Sequence, residues 1–342
     1  MPHSVETPSR ILVIQTARIG DTLLVTPTVR LLKEAYPQAH LTFMGHPDRV
    51  ALLEHLPFVD RLQAFRPKLA PLLGHLAGVR WDLALVYGHH APTLRYALRR
   101  AKRVIAFRQP DDSLNARLQP AVAEPAEPLH AVEERLLLSQ PLGLRAENLK
   151  LAYQVSPDEA RQAQQWLEST AGPNLPRPLV GLQLRSFPTK AYRDWPLDHF
   201  MTLAHRLLGA YPQAGLVILG GAESRETARI FQARFPGRCL VAAGNFSLRQ
   251  SAALMARLDL YIGVDTGPSH LAGALGIPMV VLYHCRFPGH LLCPRQHDNL
   301  SVVEHPARQG SCSEKTSMAE IAADRVWSEV EHRLAPFSHS RP

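Results

Sequence analysis

Leu260-Tyr-Ile-Gly-Val-Asp-Thr-Gly-Pro-Ser-His-Leu-Ala-Gly-Ala-Leu-Gly-Ile-Pro278 passes from an unbroken run without charge into a tight turn and then a short helical pattern. Leu260 to Val264 reads as a strand covered on both faces, the mark of a parallel sheet. Asp265, Thr266 and Gly267 make the turn. Pro268 suits the first helical position, where its missing N–H is not needed, and Gly276 with Pro278 stops the helix. A short helix therefore starts at the carboxyl end of a buried strand. Its free N–H groups and the positive end of its dipole favour a phosphate there, Gly267 lets that phosphate approach the backbone, and His270 adds a side-chain donor. The competing reading is local: Asp265 or Thr266 caps the helix, and His270 is a surface residue with ordinary partners.

The same rhythm of strand, turn and helix extends in both directions. Upstream lie Leu179 to Leu184 (strand), Leu197 to Ala210 (helix), Gly215 to Leu219 (strand), Glu223 to Phe235 (helix) and Leu248 to Arg257 (helix). Downstream come Pro278 to Tyr283 (strand) and an amphipathic helix from Met318 to Leu334. The beginning of the chain repeats the pattern: Ile11 to Gln15 is a buried strand, Asp21 to Ala35 a helix ended by Pro37, and two further pairs follow at Leu41–Met44 with Arg49–His55 and at Asp82–Tyr87 with Ala91–Ala101. Such alternation defines an α/β fold. The 342 residues suit two domains of about 150 residues each. The densest Gly/Pro punctuation, Ala171-Gly-Pro-Asn-Leu-Pro-Arg-Pro178, marks a linker between an N-terminal domain (1–170) and a C-terminal domain (179–317), with 318–342 a helix and tail able to pack back on the first. Two Rossmann-like domains facing a cleft are the simplest assembly, with ligands at the carboxyl ends of the strands.

In the first domain the corresponding turn is Gln15-Thr-Ala-Arg-Ile-Gly-Asp21. A carboxylate at Asp21 can act as general base toward a hydroxyl, or it can simply cap a helix beginning at Thr22. No Gly-x-Gly-x-x-Gly follows this strand, which argues against a dinucleotide-dependent dehydrogenase. In the second domain, Phe187-Pro-Thr-Lys-Ala-Tyr-Arg-Asp-Trp-Pro196 carries Lys190 and Arg193 above the strand ends, as diphosphate ligands or as solvated loop cations. Gly220-Gly221 allows close approach of a base or ribose, with Glu223 or Glu226 available to ribose hydroxyls. The run from Leu94 to Arg108 holds Arg95, Arg99, Arg100, Lys102, Arg103 and Arg108 with no acidic residue. It reads either as a surface for a phosphorylated acceptor or anionic membrane, or as a solvated helix face.

Composition narrows the class. With 46% apolar and 20% charged residues the chain fills real cores and is not disordered, while 38 Lys and Arg against 30 Asp and Glu give +8 and favour anionic partners. The basic run lacks interleaved aromatics, so nucleic acid is not an expected partner. No apolar run is long enough to span a bilayer, and Met1 to Arg10 lacks the core of a signal peptide. Cys239, Cys285, Cys293 and Cys312 match no zinc or disulfide framework, which points to reduced thiols in a cytoplasmic protein. His284, Cys285, His290, Cys293, His297, His305 and Cys312 crowd one region, but at spacings of no standard metal site, so no metal is expected.

Taken together, these stretches resemble the heptosyltransferases of glycosyltransferase family nine, which add heptose to the lipopolysaccharide inner core. The likeness covers nearly the whole chain. It is most specific from Ser247 through Pro278, which is similar to the family's nucleotide-sugar signature, and in Arg18-Ile-Gly-Asp21 with the following Leu-Leu-Val-Thr-Pro27, similar to its opening glycine-aspartate turn. The resemblance implies a GT-B fold, an ADP-heptose donor, an inverting and metal-independent transfer with no cofactor, and Asp21 as the base. It implies Asp265, Thr266, Gly267 and His270 around the donor, with Ser186, Lys190 or Arg193 on its phosphates; the residue reading adds Glu226 at the ribose. With a lipopolysaccharide acceptor so implied, Arg18 of the opening turn and Arg99 and Arg100 of the basic run are expected on an anionic lipopolysaccharide precursor at the cytoplasmic face of the inner membrane. Two segments depart from the family pattern: Gln183 to Tyr192 lacks the common Pro-Gly pair, and His284-Cys-Arg-Phe-Pro288 replaces a Gly-Pro-Thr-like segment.

Two other functions fit parts of the pattern. One is the same fold acting on another nucleotide sugar, as a transferase or a hydrolysing epimerase. The other is a non-catalytic, peripheral membrane protein that binds polyanions. Intact Asp21 and Asp265-Thr-Gly-Pro-Ser-His270 argue against a decayed site.

Overall fold

Two six-stranded parallel sheets carry the chain, and a computed structural model describes residues 7–70, 80–307 and 309–338 of it. The first sheet is formed by β1 (Arg10–Gln15), β2 (His40–Gly45), β3 (Arg61–Ala64), β4 (Trp81–Val86), β5 (Ala101–Phe107) and β6 (Ala121–Val122), in the order β3-β2-β1-β4-β5-β6. The second contains β7 (Leu179–Gln183), β8 (Gly215–Leu219), β9 (Cys239–Val241), β10 (Leu260–Val264), β11 (Met279–Tyr283) and β12 (Leu300–Glu304), in the order β12-β11-β10-β7-β8-β9. Both follow one scheme: two strands are laid outward from the first, then the chain returns to its other side and lays three more. The strand order therefore reverses between β1 and β4 and again between β7 and β10. In doubly wound sheets such reversal points open a crevice at the carboxyl ends of the strands, and ligands bind there.

The helices are α1 (Ile19–Leu24), α2 (Thr26–Ala35), α3 (Ala91–Arg100), α4 (Asp112–Asn115), α5 (Ala131–Leu136), α6 (Pro157–Ala171), α7 (Leu197–Ala210), α8 (Arg225–Arg234), α9 (Leu248–Met255), α10 (Gly267–Leu275), α11 (Gly289–Leu292) and α12 (Ala323–Ser338). All five residues of β7, β8, β10 and β11 are buried, because helices cover both faces of a sheet built from crossover connections. Each unit has its own core. Leu12, Ile14, Ala84, Val86 and Val104 contribute to one, and Leu182, Trp195, Phe200, Ile218, Phe231 and Ile262 to the other. Among the described residues no helix is long and apolar enough to cross a membrane.

The structure departs from the sequence reading in definite places. The single helix expected from Asp21 to Ala35 is two, α1 and α2, joined at Val25 with Pro27 in the first turn of the second. The Arg49–His55 helix is a 3-10 turn, Val50–Leu53. β5 lies under the basic run, where the charges of Lys102 and Arg103 mask the buried Val104-Ile-Ala-Phe107. The chain divides into units 1–154 and 155–342, so α6 and the Ala171–Pro178 segment both belong to the second unit rather than to the first domain and a linker. The physical reason is α6 itself, which packs on α9 and is tied to it by Glu159 and Arg249, with nitrogens and oxygens at 2.6 Å. The last helix, α12, packs against α7, β11 and β12 of this same unit.

Candidate active site

Arg193 and Asp265 meet at the reversal point of the second sheet. The first lies in the loop after β7 and the second directly follows β10, so strands adjacent in space bring together residues 72 apart in sequence. Arg193 Nη1 donates to Asp265 Oδ2 at 2.7 Å, and His270 Nε2 stands 3.7 Å from Asp265 Oδ1. Asp265 is only 4% exposed. Burial pushes its carboxyl above the usual range, and the neighbouring His270 and Arg193 oppose that shift by favouring the charged form.

The backbone under Arg193 is firmly held. Asp194 Oδ1 accepts from Ser186 N–H at 2.6 Å, Trp195 is buried and its indole donates to the Ile321 carbonyl at 2.9 Å, and Ser186 Oγ donates to the Lys190 carbonyl at 2.8 Å. The guanidinium lies 3.8 Å from the centre of the Phe287 ring. Such a stack fixes its plane at small entropic cost and leaves N–H groups at its edge. The His284–Pro288 segment thus supplies the platform for Arg193.

The local reading of the α10 turn does not hold. No side chain caps the helix: Asp265 is taken up by Arg193, and Thr266 Oγ1 donates back to the Val264 carbonyl at 3.3 Å. Thr266, Gly267 and Pro268 are partly exposed, so the positive end of α10 opens beside the Arg193 guanidinium. Gly276 closes the helix in the left-handed region, with φ +70°, where a side chain would be strained.

Asp21 sits at the reversal point of the first sheet, beyond the end of β1. It is the third residue of α1 rather than its cap, and its Oδ2 accepts from the Arg18 N–H at 3.2 Å. Its other oxygen, Oδ1, accepts from Arg135 Nη2 at 3.1 Å. Arg135 is also paired with Glu134, and its carbonyl accepts from the hydroxyl of Tyr87, just beyond β4. Asp21 therefore does local work at the helix start while keeping a carboxylate face at the ligand edge of the sheet.

The remaining expected residues divide. Ser186 is buried and spends its hydroxyl within the loop, and Lys190, three residues before Arg193, lies over the Tyr192 ring at 5.5 Å. Glu226 is exposed in the first turn of α8, at the same edge. Arg18 is exposed at the start of α1. Arg99 and Arg100, expected beside the acceptor, occupy the last turn of α3, where the Arg100 carbonyl accepts from Arg80 N–H next to the first residue of β4. That is the amino edge of the sheet. A crossover helix runs antiparallel to its strands, so its last turn lies opposite the edge that holds Asp21. Arg100 is moreover buried against Trp81.

The expectation of four reduced thiols is also corrected: Cys285 and Cys312 form a disulfide, while Cys239 and Cys293 are free. His284 with these two sulfurs makes a group within 4.8 Å that has the right ligand types for a metal ion. Both sulfurs are engaged in the bond. His284 Nδ1 accepts from Arg286 N–H at 3.2 Å and Nε2 faces the Thr316 carbonyl at 3.1 Å, so the imidazole is already oriented by backbone.

Arg135, Tyr87, Asp194 and Phe287 escaped the sequence reading. None has a local pattern that announces it, because each acts on a residue of another strand or loop.

The two reversal-point clusters on two doubly wound units define a protein of the α/β ligand-binding class, in the GT-B architecture of glycosyltransferases. The chain belongs to glycosyltransferase family 9 (heptosyltransferase), whose model matches residues 93–321. It is 23% identical over 327 residues to the lipopolysaccharide core heptosyltransferase OpsX of Haemophilus influenzae, covering 90% of this chain and 89% of that one. A family 9 glycosyltransferase from Veillonella parvula superposes with a TM-score of 0.81 at 21% identity, over 96% of this chain and 97% of that one. The ADP-heptose lipopolysaccharide heptosyltransferase II of Escherichia coli does so with a TM-score of 0.75 at 23% identity, over 96% and 99%. The protein is a glycosyltransferase.

Proposed function

We propose that the enzyme transfers heptose from ADP-heptose to an inner-core sugar of a lipopolysaccharide precursor, inverting the anomeric carbon and using no metal. The observation that carries this reading is the division of labour between the units: an oriented carboxylate, Asp21, at the reversal point of one sheet, and a stacked, partly buried guanidinium, Arg193, beside an uncapped helix start at the reversal point of the other. The names of the similar proteins support heptose and lipopolysaccharide as the substrates.

In this reaction Asp21 takes the proton of the acceptor hydroxyl as its oxygen attacks the anomeric carbon. The bond from that carbon to the diphosphate breaks on the opposite face, and ADP leaves with the electron pair. Arg193, Lys190 and the positive end of α10 stabilise the charge that develops on the leaving group. Asp265, with His270 beside its other oxygen, holds Arg193 in place, and Glu226 accepts from ribose hydroxyls. One displacement gives inversion. We further propose the cytoplasmic face of the inner membrane as the site of action, where a nucleotide-activated donor and a lipid-linked acceptor meet.

A donor screen with the purified enzyme, read by mass spectrometry of the product, tests the reading. A heptose-sized mass increment from ADP-heptose, undiminished by EDTA, is the expected result. Transfer from a different nucleotide sugar alone, or activity abolished by EDTA and restored by Mg²⁺, overturns the corresponding part.

A further inference from the structure

His284-Cys-Arg-Phe-Pro288, the segment that departs from the family pattern, is tethered on two sides. On one side Phe287 packs on the Arg193 guanidinium at 3.8 Å, and the Tyr192 ring meets His284 edge-on with centroids 5.3 Å apart. On the other side Cys285 is bonded to Cys312, which lies 27 positions on and beyond β12. One short turn, closed by the Phe287 N–H on the His284 carbonyl at 2.7 Å, therefore carries both the platform of Arg193 and one half of a disulfide.

The stretch 312–317 is fastened to the carboxyl ends of β11 and β12 at further points. His284 and His305, each the residue after its strand, are buried. Each imidazole accepts at Nδ1 from the N–H two residues on, Arg286 at 3.2 Å and Ala307 at 3.0 Å, which leaves Nε2 as the donor. His284 Nε2 donates to the Thr316 carbonyl at 3.1 Å, and His305 Nε2 to the Ser317 carbonyl at 2.9 Å. Arg286 adds an ion pair with Glu314 at 3.0 Å. None of these contacts uses sulfur, so opening the disulfide loosens the turn without dismantling the stretch.

The two sulfurs are unequal. Cys285 is 5% exposed, whereas Cys312 is partly exposed between the exposed Ser311 and Ser313. An attacking thiolate therefore reaches the Cys312 sulfur, and the Cys285 sulfur is the leaving group. At the cytoplasmic face proposed above, thiol reductants act on accessible disulfides, and the bonds found in such a compartment are mostly redox-responsive ones.

We propose that the Cys285–Cys312 pair is a redox-modification site that sets the donor affinity of the enzyme through Phe287 and Arg193. A dithiol is the co-reactant. Its thiolate attacks Cys312 Sγ, the S–S bond breaks, and Cys285 Sγ leaves with the electron pair and takes up a proton. The second thiol of the reductant then displaces Cys312 Sγ from the mixed disulfide, so the protein gains two electrons and two protons and the reductant becomes a disulfide. With the turn released, Phe287 no longer fixes the plane of the guanidinium, and diphosphate binding weakens. This rests on the reading of Arg193 as a ligand of the ADP diphosphate.

Alkylation of the air-oxidised full chain in denaturant, read by mass spectrometry, should find Cys285 and Cys312 protected until reductant is added and Cys239 and Cys293 alkylated throughout. Alkylation of all four without reductant overturns the site. In calorimetry, reduction by dithiothreitol should weaken ADP binding about three- to tenfold, the scale of one lost cation–ring stack, and reoxidation should restore it. Cys312→Ser should bind ADP as the reduced enzyme does and be indifferent to dithiothreitol, whereas Cys293→Ser should keep the full response. Phe287→Leu, with the disulfide intact, should bind ADP as weakly as reduced wild type and lose nothing more on reduction. Equal ADP affinity in the oxidised and reduced enzyme, or a Phe287→Leu variant that responds like wild type, overturns the coupling while leaving Arg193 on the diphosphate. Hydrogen exchange separates the two readings: reduction should speed exchange in 187–194, although neither sulfur lies there. If it does so in an enzyme that binds no ADP in either state, the donor reading falls and the redox coupling to the Arg193 loop stands.

Discussion

Asp21 and Arg135 are 114 positions apart in sequence and 3.1 Å apart in space, and the contact occupies one oxygen of the carboxylate while the Arg18 N–H occupies the other. Both contacts fix the plane of the carboxylate. If Arg135 positions the base, Arg135→Met should lower kcat by about tenfold with the donor KM little changed, and Arg135→Lys should recover most of the loss by keeping a donor in reach. Equal loss in both variants, with lowered melting temperatures, would mean that Arg135 serves only the fold.

Asp21→Asn removes the basic lone pair and keeps an oxygen for the Arg18 N–H. The fold and ADP affinity should therefore survive while kcat falls about 10²-fold or more. Calorimetry with ADP and single-turnover assays separate the two effects, and near-normal turnover would remove Asp21 from the chemistry.

In the Arg193–Asp265 pair the carboxylate is buried and the guanidinium partly so, with side-chain exposures of 6% and 14%. Arg193→Met should weaken ADP binding and also destabilise the protein by about 3 kcal/mol, because it leaves Asp265 without its cation in a dry site. Adding Asp265→Asn should restore part of the stability and none of the ADP affinity. A double variant as unstable as the sum of the single variants would contradict the coupling.

Glu159 joins α6 to α9 through Arg249, and this bond, with the Ser156 N–H, lowers its carboxyl to about 2. A carboxylate depressed on folding adds stability above its unfolded pKa, about 4.3, and loses it as the pH falls through its folded value. Glu159→Gln should therefore cost about 2–3 kcal/mol at pH 7 in urea unfolding, and the gap from wild type should narrow between about pH 4 and pH 2. A gap independent of pH would assign the loss to packing.

What the sequence determined by itself was local. Leu260–Val264, Gly215–Leu219 and Leu197–Ala210 are legible because a strand buried on both faces, or a helix buried on one, writes its periodicity into consecutive residues. The turn from Asp265 to Pro268 is legible for the same reason, and so is the α/β rhythm that follows. Short edge strands such as β3, β6 and β9 carry too few residues for a pattern, and β5 is hidden under its charges. Only the tertiary structure decided which side chains meet. Strand order sets that, and no residue encodes strand order in its neighbours. It brought Arg193 to Asp265, Arg135 to Asp21 and Cys285 to Cys312. It also separated Arg99 and Arg100 from Asp21, since a helix returning antiparallel to its strands carries its last turn to the far edge of the sheet.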